Sequence, residues 1–104
     1  MDAVLHAIAE PNRRKILSLL KDAELSANEI ASHFPLTRPA VSQHLQVLVG
    51  AGLASVRRQG TRRLYRYRPE GLTELRAYLQ EFWVERLTSL KEAAENQERN
   101  ESND

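Results

Sequence analysis

The stretch from Thr37 to Arg68 constrains the chain more than any other part of it. Its first half, Thr37-Arg38-Pro39-Ala40-Val41-Ser42-Gln43-His44-Leu45, carries Val41, Leu45 and Leu48 as an apolar stripe at helical spacing, with small and hydrogen-bonding side chains opposite. Its second half sets Arg57, Arg58, Arg62, Arg63, Arg66 and Arg68 around Gly60, and alternates tyrosine with arginine at Tyr65 and Tyr67 as a strand does. A helix suited to base edges followed by a cationic ribbon suited to phosphates predicts a mostly α domain with a small β-hairpin. That is a winged helix-turn-helix of order helix-helix-helix-helix-strand-strand-helix.

Charge is segregated in the same sense. Residues 1–54 hold five basic and five acidic groups, residues 55–68 six arginines and no acid, and residues 69–104 four basic and nine acidic groups. The formal net charge of +1 therefore conceals a local cationic surface, as a protein that grips a polyanion needs. The chain has 104 residues and no cysteine, which excludes disulfides, thiolate metal sites, cysteine nucleophiles and thiol redox sensing. No run approaches the ~18 apolar residues of a membrane span. Asp2 and His6 sit in a mixed N-terminal helix unlike a signal peptide, so a cytoplasmic protein with no membrane partner is expected.

Along the chain, Ala3, Leu5, Ile8 and Ala9 predict a short first helix that ends at Glu10-Pro11, and Pro11 opens a second with Ile16, Leu17, Leu19 and Leu20 on its apolar face. Asp22 to Leu25 reads as a turn. Ser26-Ala27-Asn28-Glu29 has the spacing of a capping box and starts a third helix running to about His33. Phe34-Pro35-Leu36 is the turn of the motif, Thr37 the N-cap of the fourth helix, and Gly50-Ala51-Gly52 its end. Strands are expected over residues 53–58 and 62–68, with Gly60 supplying the turn. A long last helix follows Pro69. Residues 1–94 then form the DNA-binding and dimerisation domain, and 95–104 a polar, disordered tail.

Four blocks together resemble the ArsR-type winged-helix repressors of bacteria. Glu10-Pro11-Asn12-Arg13-Arg14-Lys15-Ile16-Leu17, then Ala40-Val41-Ser42-Gln43-His44-Leu45-Gln46-Val47-Leu48, then Gly52-Leu53, then Gly60-Thr61-Arg62-Arg63-Leu64-Tyr65-Arg66-Tyr67 fall in that family's order and spacing. The segment from Phe82 to Leu90 looks like that of its cysteine-free, autorepressor-like branch. The resemblance covers nearly the whole chain and implies repression rather than activation. It also points to where metal-sensing members hold their ligands. Where those carry Cys-x-Cys this chain has Ser26 and Asn28, and the last helix offers carboxylates such as Glu74, Glu81 and Glu85 but no histidine, since His6, His33 and His44 all precede it. Soft or borderline metals are poorly served by such donors, so neither metal regulation nor any cofactor is expected.

Expected DNA contacts are Thr37, Arg38, Pro39, Ser42, Gln43 and His44 on the fourth helix, with Arg57, Arg58, Gly60, Thr61, Arg62 and Arg63 on the wing. Arg38 can pair with guanine O6 and N7, and Gln43 with adenine N6 and N7. Arg38 could equally reach a phosphate, and both could simply solvate a helix. Thr37, Pro39 and Ser42 suit backbone or a thymine methyl. His44 suits packing or phosphate, and Arg62 and Arg63 are the foremost phosphate candidates. Tyr65 and Tyr67 are expected on the buried face of the ribbon, with Arg66 and Arg68 outward.

Leu5, Ile8, Leu72, Leu75, Leu79, Phe82, Trp83, Leu87 and Leu90 exceed what a domain of this size can cover, which predicts a homodimer through the first and last helices. A twofold pair of recognition helices about 34–36 Å apart would read an inverted repeat in double-stranded DNA. Plain core packing of Phe82 and Trp83, or an apolar effector site there, are the other readings. Enzymatic motifs are missing: no glycine-rich phosphate loop, no His-Glu-x-x-His and no nucleophile elbow. A winged helix that docks an acidic protein, or a sensor with a non-thiolate effector site, are the rival functions, and no effector is named by the sequence.

Overall fold

The computed structural model describes residues 1–102, without the side chains of Glu85 and of residues 98–102. Asn103 and Asp104, the end of the expected tail, lie outside the described residues. The chain divides into a unit of Met1–Thr73 and a second made by the last helix.

The first unit begins with α1 (Asp2–Ala9) and α2 (Pro11–Asp22). The elbow between them is dictated locally. Glu10 takes extended backbone angles ahead of Pro11, its carboxylate accepts the Arg13 backbone N–H at 2.9 Å, and Pro11 occupies the first turn, where a missing N–H is harmless. Two arginines then close the end of α1 from outside. Arg13 Nε donates to the Ala7 carbonyl at 2.7 Å and Arg14 Nη1 to the Ile8 carbonyl at 2.7 Å, satisfying oxygens that a helix C-terminus leaves free.

The segment after α2 departs from the expected turn. Leu25–Ser26 forms a short strand, β1, antiparallel to the later β3 with Leu25 opposite Tyr65 and Ser26 opposite Leu64. Ser26 is also the N-cap of α3 (Ala27–Ala31): its Oγ accepts the Glu29 N–H, and Glu29 Oε1 accepts the Ser26 N–H, each at 3.2 Å. The capping box is as expected, but α3 stops short of His33. Ser32 Oγ donates to the Glu29 carbonyl at 2.6 Å, and the His33 and Phe34 N–H groups reach back three residues to Ile30 and Ala31, which tightens the helix into a turn.

α4 (Arg38–Gly50) starts where Thr37 Oγ1 accepts the Ala40 N–H at 3.2 Å. It ends in a Schellman motif: Leu53 N–H bonds the Leu48 carbonyl, Gly52 N–H bonds the Val49 carbonyl, and Gly52 has φ 78°. β2 (Ala54–Gln59) and β3 (Arg62–Tyr67) then form the hairpin, paired from Ala54 opposite Tyr67 to Gln59 opposite Arg62, with Gly60 at φ 64° in the two-residue loop. The sheet order is β1-β3-β2. Ile16, Ile30, Val41, Leu45, Leu48 and Leu53 are fully buried, so α2, α3, α4 and the root of the wing share one core. The ribbon meets that core through Leu64, while Tyr65 and Tyr67, expected to be the buried residues, are only half-buried. Alternation along a strand fixes which residues share a side but not which side is covered.

Pro69–Leu72 is a 3-10 turn. Within it a Cβ on Gly71 would fall 2.1 Å from the Gly52 carbonyl oxygen, so two stretches of backbone touch where no side chain fits.

The second unit begins at Glu74, within α5 (Thr73–Ser102). It continues through residues 95–102, where a disordered tail was expected. Glutamate, glutamine and arginine favour a helix even without an apolar face, and Lys91 pairs with Glu95 one turn on at 4.0 Å. Tyr78 and Phe82 stack edge to face at 5.2 Å. Leu79, Phe82, Trp83, Val84, Leu87 and Leu90 are exposed, Trp83 to 62%, whereas Leu75 is buried within the single chain.

Candidate nucleic-acid interface

The core stripe of α4 decides what the helix shows to solvent. With Val41, Leu45 and Leu48 buried, helical geometry turns Arg38, Pro39, Gln43 and Gln46 outward, and all four are exposed. Arg38, Ser42 and Gln46, one turn apart, face the wing. Together with Ser26, Asn28, Thr61, Arg62, Arg63 and Tyr65 they line an open polar groove of about 600 Å³. Gln43 lies round the helix, lining a separate shallow hollow with Arg13, His44, Gln46 and Val47. Gln46 was not among the residues singled out from the sequence, although its spacing from Arg38 and Ser42 places it on the same edge.

The N-terminal side of the groove is held by polar contacts. Arg38 Nη1 donates to Asn28 Oδ1 at 2.5 Å, linking the two helices of the motif. Asn28 and Ser26 are thereby engaged in this bond and in the cap of α3. Among the described residues no three His, Asp or Glu side chains gather as a metal site would require. The Glu85 side chain lies outside the described residues.

His44 points away from the groove to the α1–α2 elbow, where its Nδ1 lies 3.4 Å from Arg13 Nη1 and 3.9 Å from Glu10 Oε2. That placement favours the packing role among those expected for it.

The wing arginines are not equivalent. Arg57 clasps Glu24, with Nε 2.9 Å from both carboxylate oxygens and Nη2 2.6 Å from Oε1. Arg62 pairs with Glu29, the capping-box carboxylate. Arg66 Nε donates to Ser55 Oγ at 3.3 Å and Arg68 Nη1 to the Gly52 carbonyl at 3.2 Å. Arg58 and Arg63 sit opposite each other across the hairpin, both exposed, with no carboxylate partner among the described residues. Hydrogen bonds from Arg57 hold the Glu24 carboxyl below the ordinary glutamate value of 4.5, and the same hydrogen bonds, then the Glu24 charge, raise Arg57. The Ser26 backbone N–H, then its hydroxyl and the charge of Arg62, do the same for Glu29.

A helix-turn-helix whose second helix presents a polar edge beside a β-hairpin is a winged helix-turn-helix. The chain belongs to the arsR family of bacterial regulatory proteins, whose family model matches residues 10–56. It is 45% identical over 87 residues to the HTH-type transcriptional regulator Rv2034 of Mycobacterium tuberculosis, covering 84% of this chain and 81% of that one. With the transcriptional repressor SdpR of Bacillus subtilis it shares 45% identity over 60 residues, 58% of this chain and 67% of that one. Among solved structures, the homodimeric winged helix-turn-helix DNA-binding domain of a possible ArsR-family transcriptional regulator from Mycobacterium bovis aligns with TM-score 0.65 and 34% identity, over 81% of this chain and 78% of that one. No described helix is long and apolar enough to cross a membrane.

Proposed function

We propose that the protein is a homodimeric repressor that binds an inverted-repeat operator in double-stranded DNA without a metal ion and so blocks a promoter. The observation that carries this reading is the open groove in which Arg38, Ser42 and Gln46 of α4 face Thr61, Arg62 and Arg63 of the wing. Base edges would meet the helix side and sugar-phosphate the wing side. Gln43, exposed opposite the buried stripe, is suited to adenine, and Arg38, released from Asn28, to guanine. Thr37, Pro39 and Ser42 would pack on the backbone or a thymine methyl, with Gly60 and Thr61 letting the wing tip approach closely.

Dimerisation is supported by the exposed apolar residues of α5 and by Leu5 on α1, and by the homodimeric state of the Mycobacterium bovis domain. Repression is supported by the named repressor among the relatives. The engagement of Ser26 and Asn28 in a cap and a helix-helix bond supports independence from thiophilic metals.

Selection of bound sequences from a random duplex library, run in parallel with EDTA and with zinc, tests the proposal. An inverted repeat enriched equally in both is the expected result. No enriched motif would point instead to a protein-docking wing, and enrichment abolished by zinc would refute metal independence.

A further inference from the structure

We propose that Glu24 and Glu29 are positioning residues that keep Arg57 and Arg62 as struts of the wing, leaving Arg58 and Arg63 as the wing arginines that take DNA phosphate. This rests on the DNA-binding reading and divides its cationic surface into two working parts.

Both carboxylates flank β1, the strand that ties the helix-turn-helix segment to β3. Glu24 stands just before it, and Glu29 reaches back to its last residue through the capping box. Arg57 and Arg62 reach them from β2 and β3, so two ion pairs extend the tie that the short strand begins. The Arg57 contact uses two guanidinium nitrogens against both carboxylate oxygens, the fork geometry that holds an arginine most firmly. Were either arginine to swing to a phosphate, it would leave an unpaired carboxylate facing the DNA polyanion. Exchanging one anion for another while exposing a like charge removes most of the benefit of the move.

Arg58 and Arg63 are in the opposite situation. Directly paired like charges across two strands repel, and no described carboxylate relieves them. A phosphate lying between them would remove that repulsion and release its own counterion. Arg66 and Arg68 are bonded to Ser55 and to the Gly52 carbonyl at the root of the wing.

The test is the salt dependence of binding of the full chain to a fluorescein-labelled mixed-sequence duplex between about 50 and 200 mM salt, where each phosphate contact contributes ~0.9 to the slope of log affinity against log salt. Arg58→Ala with Arg63→Ala should flatten the slope by about 1.8 per bound subunit. Arg62→Ala should weaken binding severalfold at every salt concentration and leave the slope in place. Glu29→Gln retains both capping-box bonds, because glutamine serves at that position. With Arg62 released, the slope should steepen by about 0.9 per subunit. A flattening by Arg62→Ala equal to that of Arg63→Ala, or no change of slope for Glu29→Gln, would overturn the assignment. An unmodified protein that shows no salt-dependent binding to any duplex would overturn the DNA-binding reading beneath it.

Discussion

Ser26 and Gly71 show how differently single residues can be written into a sequence. The Ser26–Glu29 capping box is legible as a spacing because every atom in it lies within one helical turn. Ser26→Ala should cost about 1 kcal/mol, read as a fall in thermal midpoint. Gly71 carries no such signal. Its constraint is the Gly52 carbonyl 2.1 Å from where a Cβ would stand, and that carbonyl is brought there only by the fold. Gly71→Ala has backbone rather than a flexible side chain to displace, so it should destabilise by about 1–3 kcal/mol, or roughly 4–8 °C for each kcal/mol. An unchanged midpoint would mean the turn moves aside freely. Glu24 and Glu29 titrate below their ordinary value in the folded chain, so the stability they add is complete above about pH 4.5 and is lost as pH falls through the lowered values. Glu24→Gln with Glu29→Gln should therefore flatten the acid limb of the midpoint against pH while changing its shape little near neutrality.

Elements follow the same division. α4 was legible because its core stripe, N-cap and C-terminal glycine are all local, and Gly52 at φ 78° explains why the helix stops where it does. Gly52→Ala should cost about 1 kcal/mol by forcing a side chain into the left-handed region. Leu45→Ala, by contrast, opens a cavity in a fully buried layer and should cost about 2–5 kcal/mol, measurable by denaturant unfolding at unchanged slope. β1 was not legible. Two residues between Glu24 and the N-terminus of α3 have no strand period, and Leu25–Ser26 becomes a strand only because β3 offers its edge. The same tertiary pairing left Tyr65 and Tyr67 half-exposed and made Leu64 the anchor, against the expectation from alternation alone.

At the scale of the whole molecule, the exposed apolar residues of α5 bear on assembly. Phe82→Glu with Trp83→Glu, both more than half exposed in the single chain, should leave the Met1–Thr73 unit folded while sedimentation shifts from dimer to monomer. Affinity for an inverted repeat should then fall toward that for a half-site, and an unchanged sedimentation coefficient would place the interface elsewhere. The sequence alone determined the order of helices, the hairpin, the polar edge of α4 and the block of arginines free of acids, because each is a matter of period, cap or composition within a few residues. Tertiary structure alone decided which arginines meet carboxylates, that His44 turns to the α1–α2 elbow, and that Gln46 joins Arg38 and Ser42 in the groove. Charge and spacing say what a side chain can do, but its partner is set by which distant segments the packed core brings within reach.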